Sequence, residues 1–128
     1  MNKLYIFIFS VIVLSACGGR QSELISTTAK EIVADYQSSR QYGNRKYRGN
    51  ALIVEGTIAE YYRNKKNEIS IILREKNQKI GVKCNLVRSN KQITKPLKYG
   101  EKIRIKGICL GLREDNVVLE NCFIMRKQ

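Results

Sequence analysis

Residues 51–62, Ala-Leu-Ile-Val-Glu-Gly-Thr-Ile-Ala-Glu-Tyr-Tyr, carry the reading on which the fold turns. Leu52, Val54, Gly56 and Ile58 alternate with Ile53, Glu55, Thr57 and Ala59, so the period is two and the element is a long strand. A glycine inside a strand marks a sharp bend or a close backbone approach, and Gly56 sits midway along this one. Downstream, the polar run Arg63 to Asn67 turns the chain. Ile69, Ile71 and Leu73 then alternate with Ser70, Ile72 and Arg74, a second strand. After Lys76-Asn77-Gln78, a third strand follows, with Ile80, Val82, Cys84 and Leu86 on one face and Gly81, Lys83, Asn85 and Val87 on the other. Arg88 to Gly100 is a longer polar connection that holds the only proline, Pro96, and has room for one helical turn. Ile103, Ile105, Gly107 and Cys109 form the inner face of a fourth strand, and Gly111 to Asn116 reads as a turn. The fifth strand is Val117 to Met125. Leu119 and Cys122 disagree in parity there, which a bulge near Glu120-Asn121 reconciles.

Five short strands with the long connection between the third and fourth is the layout of an OB-fold. A closed barrel needs its first strand to bend, and Gly56 and Gly107 stand where bends belong. An open five-stranded meander is the alternative. Upstream of the strands, Thr28 and Glu31 form a T-x-x-E capping box at the head of a helix read over Ser26 to Ser38. Ala29, Ile32, Val33 and Tyr36 make its apolar stripe, and the polar run Gln37 to Asn44 reads as its end.

These stretches together resemble the tRNA_anti-like OB-fold family of bacterial lipoproteins and exported proteins. The resemblance rests on the Ile32, Val33, Tyr36 stripe, on Lys46-Tyr47-Arg48-Gly49 and on Val54-Glu55-Gly56-Thr57-Ile58. It continues through Val82-Lys83-Cys84, Leu97-Lys98-Tyr99-Gly100, Ile105-Lys106-Gly107-Ile108-Cys109 and Val117-Val118-Leu119-Glu120-Asn121-Cys122. It spans roughly Thr28 to Met125, and departs at Ser39 to Asn44, where the family often carries an Asn and an Ala. The resemblance implies a mainly β, five-stranded OB barrel preceded by an α-helix. It implies no activity, because fold does not dictate function.

The N-terminus gives an address. Met1-Asn2-Lys3 is a short basic start, and Leu4 to Leu14 is apolar except for Ser10. That matches a secretory signal and is too short for an ordinary membrane span of about 20 residues. Leu14-Ser15-Ala16-Cys17 resembles the bacterial lipobox, in which cleavage before the cysteine frees it for acylation. Residues 1–16 are then a lipoprotein signal peptide, 17–27 an acylated Cys17 with a flexible tether, and 28–128 the OB domain with its helix. Removing sixteen residues that include Lys3 and no acid takes the chain from 128 residues and +13 to 112 residues and +12. Two or more acyl chains would hold it firmly, since a single chain gives only marginal anchoring.

Composition excludes several chemistries. With no histidine in the chain, Ser-His-Asp and Cys-His catalysis and His-ligated metal sites are ruled out. No pair of carboxylates has the setting of a general acid–base dyad. Glu114-Asp115 is explained by turn chemistry, and Glu55 and Glu60 lie on the first strand. Beyond Cys17, Cys84, Cys109 and Cys122 lack C-x-x-C spacing. They read as buried thiols, or as one disulfide; Cys109–Cys122 closes the shortest loop, with Cys84–Cys122 the runner-up. Neither cofactor nor metal is expected.

The 24 Lys and Arg against 11 Asp and Glu mark a basic surface, for which Arg63, Lys65, Lys66, Arg74, Lys83, Lys102, Arg104 and Lys106 are the candidate binding residues. An OB-fold binds nucleic acid on its second and third strands. The outward positions there, Ser70, Ile72, Arg74, Lys83 and Asn85, include no aromatic on which a base could stack. Nucleic acid is therefore an unlikely partner. The expectation is a non-catalytic lipoprotein of the bacterial envelope, held to membrane lipid through acylated Cys17 and binding an anionic surface or an acidic protein. Gly18 rather than Asp after Cys17 favours the outer membrane in a bacterium with two membranes. The alternatives are a nucleic-acid-binding OB module for DNA uptake or conjugation, or an interaction protein of an envelope transport or exclusion system.

Overall fold

The computed structural model describes residues 24–87, 93 and 95–125. The expected signal segment and Cys17 lie outside them, as do six of the thirteen residues from Arg88 to Gly100, where one helical turn was expected. The elements are β1 (Leu24–Thr28), α1 (Ala29–Ser38), α2 (Arg40–Tyr47), β2 (Ala51–Arg63), β3 (Ile69–Leu73), β4 (Gly81–Leu86), β5 (Lys102–Arg113) and β6 (Asn116–Met125). The sheet runs β1-β2-β3-β4-β6-β5, and β2 also pairs with β5. That pairing closes β2, β3, β4, β6 and β5 into a five-stranded barrel, as the alternation predicts. Ladder bonds satisfy every strand of a closed barrel, which leaves the ring without an edge.

β2 makes closure possible by pairing with a different neighbour on each of its two edges. Its first half pairs with β5 from Ala51↔Ile108 to Thr57↔Lys102, and its second half pairs with β3 from Ile58↔Leu73 to Arg63↔Ile69. β3 is too short to cover the first half, so residues 51–55 would expose unpaired backbone on that side. β1 fills the gap as a parallel strand, from Leu24↔Ala51 to Thr28↔Glu55. Sequence analysis assigned these residues to the tether and to the first helical turn. Leu24–Thr28 belongs to the sheet instead, because a β2 edge needs a partner there. Thr28 then ends β1 and caps α1 at once, accepting from the Glu31 N–H at 3.1 Å.

The inner faces are those the alternation predicts. Leu52, Val54, Ile58, Ile71, Leu73, Val82, Ile105, Val117 and Leu119 are at most 1% exposed. Each such side chain contributes about 1.5–3 kcal/mol of burial. The expected bulge is present: Lys106↔Phe123 is followed by Ile108↔Glu120, and Asn121 has φ 54. A second bulge at Ala59, between Ile58↔Leu73 and Glu60↔Ile72, reverses the parity of the end of β2. The turn read over Gly111 to Asn116 is shorter: β5 continues through Gly111 (φ 100) to Arg113, leaving Glu114-Asp115.

α1 buries Ala29, Ile32, Val33 and Tyr36 against β2, β4 and β6. The polar run after it is a second helix, where sequence analysis had the element end. Ser39 joins the two: its N–H donates to the Asp35 carbonyl at 3.2 Å, and its hydroxyl accepts from the Tyr42 N–H at 3.2 Å. Tyr36 lies so close to Gly43 that a Cβ there would sit 2.5 Å from its ring. Tyr47 is fully buried and donates to Asp35 Oδ2 at 2.5 Å, beside the Lys46 ammonium at 3.0 Å. α2 is thus held by capping, one ring-on-glycine contact and a polar tie, none of which has helical periodicity.

Candidate binding surfaces

The barrel carries the candidate cations on two separate faces. The first is the outward side of β2, β3 and β4. Because of the bulge at Ala59, Tyr62 points outward opposite Ser70, and Ser70 lies opposite Asn85. The Ser70 hydroxyl donates to Asn85 Oδ1 at 2.7 Å, and Asn85 Nδ2 donates to Glu120 on β6 at 2.8 Å. A polar row therefore crosses four strands. The Lys83 ammonium sits 5.6 Å from the centre of the Tyr62 ring, a cation–π arrangement. The β2–β3 loop borders this row. Its Asn64 side chain accepts from the N–H groups of Lys66 and Glu68, both at 2.9 Å, and Arg63 donates to Asn67 at 2.8 Å. These residues enclose an open groove of about 640 Å³ whose lining includes Tyr62, Lys66, Glu68, Lys83, Asn85 and Glu120.

Of the candidate cations, Lys66 and Lys83 thus line this groove, while Arg63 is tied to Asn67 of the β2–β3 loop and Lys65 belongs to that loop without lining the groove. Arg74 stands at the far end of β3 and is spent on Glu60 of β2 at 3.6 Å. Lys102, Arg104 and Lys106 share the outward side of β5 but face neither β3 nor β4; Lys102 lies 3.9 Å from Glu55. The outward β3 and β4 positions hold no aromatic, as expected. The aromatics come from outside those strands. Tyr62 enters from β2, and Tyr61 stacks on Tyr99 with centroids 4.9 Å apart and planes at 28°. Tyr99 is 67% exposed. The adjacent Tyr61-Tyr62 pair was visible in the sequence, but its direction depended on the Ala59 bulge.

Among the described residues, Cys84, Cys109 and Cys122 are buried, and no disulfide joins Cys109 to Cys122. In the register, Cys109 lies opposite Leu119 rather than Cys122. Its sulfur lies 3.7 Å from the Tyr36 hydroxyl, while the Cys122 thiol, with burial, pushes the Cys84 thiol well up. Burial likewise raises the Cys109 thiol and the Tyr36 hydroxyl. Burial raises the Asp35 carboxyl too, but the Tyr47 hydroxyl and Lys46 ammonium outweigh it and hold Asp35 below the usual carboxylate range. Among the described residues, no three His, Cys, Asp or Glu side chains gather as a metal ion would need.

A closed five-stranded barrel with this strand order defines the OB-fold class. Within it, the chain belongs to the tRNA_anti-like family, whose pattern matches residues 4–123. It is similar to a provisionally designated nucleic acid-binding lipoprotein from Klebsiella pneumoniae, with a TM-score of 0.64 and 15% identity over 78% of this chain and 91% of that one. It is also similar to a provisionally designated aspartyl-tRNA synthetase from Leishmania major, with a TM-score of 0.52 and 5% identity over 90% of this chain but only 23% of that one. At these identities the likeness establishes the fold. No curated protein matches the chain.

Proposed function

We propose that this protein is a non-catalytic, lipid-anchored envelope protein that binds a polypeptide partner in the β2–β3–β4 groove. The observation that carries the reading is the mixed character of that groove. Lys83 and Lys66 stand beside Glu68 and Glu120, around a hydrogen-bonded Ser70–Asn85–Glu120 row. A phosphate backbone would meet two carboxylates there, whereas a polypeptide with acidic and amide groups can pair with each element of the row. Anchoring through acylated Cys17 rests on the Leu14-Ser15-Ala16-Cys17 spacing, and Gly18 in place of an Asp after Cys17 favours the outer membrane where two membranes exist.

A specific observation also favours a second reading, single-stranded nucleic acid. Tyr62 is 44% exposed beside Lys83, and the Klebsiella pneumoniae neighbour carries a nucleic acid-binding designation. Titration of the chain with an oligonucleotide at physiological salt separates the two. The polypeptide reading expects only non-specific affinity, with a dissociation constant of about 10⁻⁴ to 10⁻⁶ M that weakens with salt. It also expects Tyr62→Ala and Lys83→Glu to abolish recovery of a protein partner from membranes. Nanomolar oligonucleotide binding that survives added salt, and falls with Tyr62→Ala, would replace it with the nucleic-acid reading.

A further inference from the structure

The second face of the barrel is the outward side of β1, β2, β5 and β6, and its residues follow from the register. One row reads Met125, Arg104, Glu55, Thr28; the next reads Phe123, Lys106, Ile53, Ser26; the third reads Ile108, Ala51, Leu24, and ends on β6 at Glu120, the border with the groove, where Glu120 accepts from Asn85. Directly paired residues share a face. Seven large apolar side chains are strongly exposed among the described residues, and four of them, Leu24, Ile108, Phe123 and Met125, stand here. Lys102, Arg104 and Lys106 run between them along β5. Such cations lay their stems on apolar neighbours and extend their charge outward.

We infer that this face is a bilayer-contact surface, with Phe123, Met125, Ile108 and Leu24 at the acyl boundary and Arg104 and Lys106 on anionic headgroups. The inference rests on the anchoring proposed above. Cys17 precedes Leu24 by seven residues, which span at most about 25 Å when extended. The chain enters the barrel at Leu24, in the outermost strand of this same face, so an acylated Cys17 holds the face near the membrane. A second copy of the chain is a poorer occupant, because pairing the face with itself brings the β5 cations of both copies together. Docked this way, the β5 side meets lipid and the β3–β4 groove stays free for its partner.

The chain contains no tryptophan, so one introduced indole is a clean probe. Full chain carrying Phe123→Trp, or Tyr62→Trp on the groove face, is reconstituted into phosphatidylglycerol–phosphatidylcholine vesicles with brominated acyl chains. The expected result is a blue shift and bromolipid quenching at position 123, with position 62 unquenched. Equal quenching at both positions, or none at position 123 while the protein is vesicle-bound, overturns the inference. A concentration-dependent shift at position 123 in detergent, without bromolipid quenching, also overturns it and points to self-association. Intact mass of the same sample tests the anchor separately. If Cys17 carries no acyl group, the anchoring reading falls, and co-sedimentation of the unacylated chain with anionic vesicles decides the face. Lys102→Gln, Arg104→Gln and Lys106→Gln combined should then weaken binding at least about tenfold; unchanged binding overturns the inference.

Discussion

At the scale of single residues, the two strand glycines were read as marking a sharp bend or a close approach, and close approach is what surrounds both. The structure gives each a steric reason: a Cβ at Gly107 would lie 2.5 Å from the Cys122 sulfur, and one at Gly56 would lie 2.8 Å from the Ala29 Cβ. Gly107→Ala should therefore destabilise the protein by about 1–3 kcal/mol through overpacking. Adding Cys122→Ala should return part of that loss, because it removes the obstructing atom. Denaturant melts of the two variants test this, and a Gly107→Ala protein as stable as the parent would refute the contact. The thiols make a second prediction. Cys84, Cys109 and Cys122 are fully buried; the Cys122 thiol together with burial raises the Cys84 thiol, and burial raises that of Cys109, so those two should stay protonated, and all three should be unreactive because no reagent reaches them. A soluble disulfide reagent at pH 8 should modify none of the three in the native protein and all three after denaturation. Rapid native labelling of any one would show an opening that the packed barrel does not provide.

At the scale of elements, the sequence was legible wherever burial imposed a period. The five barrel strands, the α1 stripe and the bulge at Glu120-Asn121 all follow from alternation or helical spacing. β1 and α2 escaped because neither is held by a stripe. β1 is a five-residue strand, Leu-Ile-Ser-Thr-Thr, too short to show a period, and its place is decided by the β2 edge it covers. α2 depends on Ser39 and on the Asp35, Lys46 and Tyr47 tie. Ser39→Ala should cost about 0.5–2 kcal/mol, as loss of a helix cap does, and should loosen α2 first, visible as faster amide exchange over Arg40–Tyr47. The tie also fixes a pH dependence. Asp35 is held below its ordinary value of 3.8, so its folded-state pKa is depressed. A depressed carboxylate contributes stability that is present above its unfolded pKa of about 3.9 and is lost as pH falls through the folded value. Asp35→Asn should lower Tm at pH 7, and the gap to the parent should narrow below about pH 4. A gap that stayed constant from pH 7 to pH 2.5 would mean that the Asp35 charge plays no part in joining the helices.

At the scale of the whole molecule, closure decides what strand patterns cannot. The basic residues were readable as a set, but their division was not. Which cations share a face depends on the Ala59 bulge, which turns Tyr62 outward, and on β6 standing between β4 and β5. The barrel therefore presents two candidate binding sides, and the use proposed for each depends on where the chain is held. Acylation at Cys17 would bring both faces to the membrane, and it is directly measurable. Cells fed labelled palmitate should yield a labelled protein that enters the detergent phase, and Cys17→Ala should abolish both properties. The barrel itself should be unaffected, since Cys17 precedes its first strand by seven residues; the purified Cys17→Ala protein should melt within about 0.5 kcal/mol of the parent, as changes away from packed contacts do. A Cys17→Ala protein that still incorporates palmitate would move the lipid to another residue, and a parent protein that incorporates none would remove the anchor altogether. The groove would then act without a tether, and binding that had gained from a membrane-held partner would have to come from the Tyr62–Lys83 surface alone.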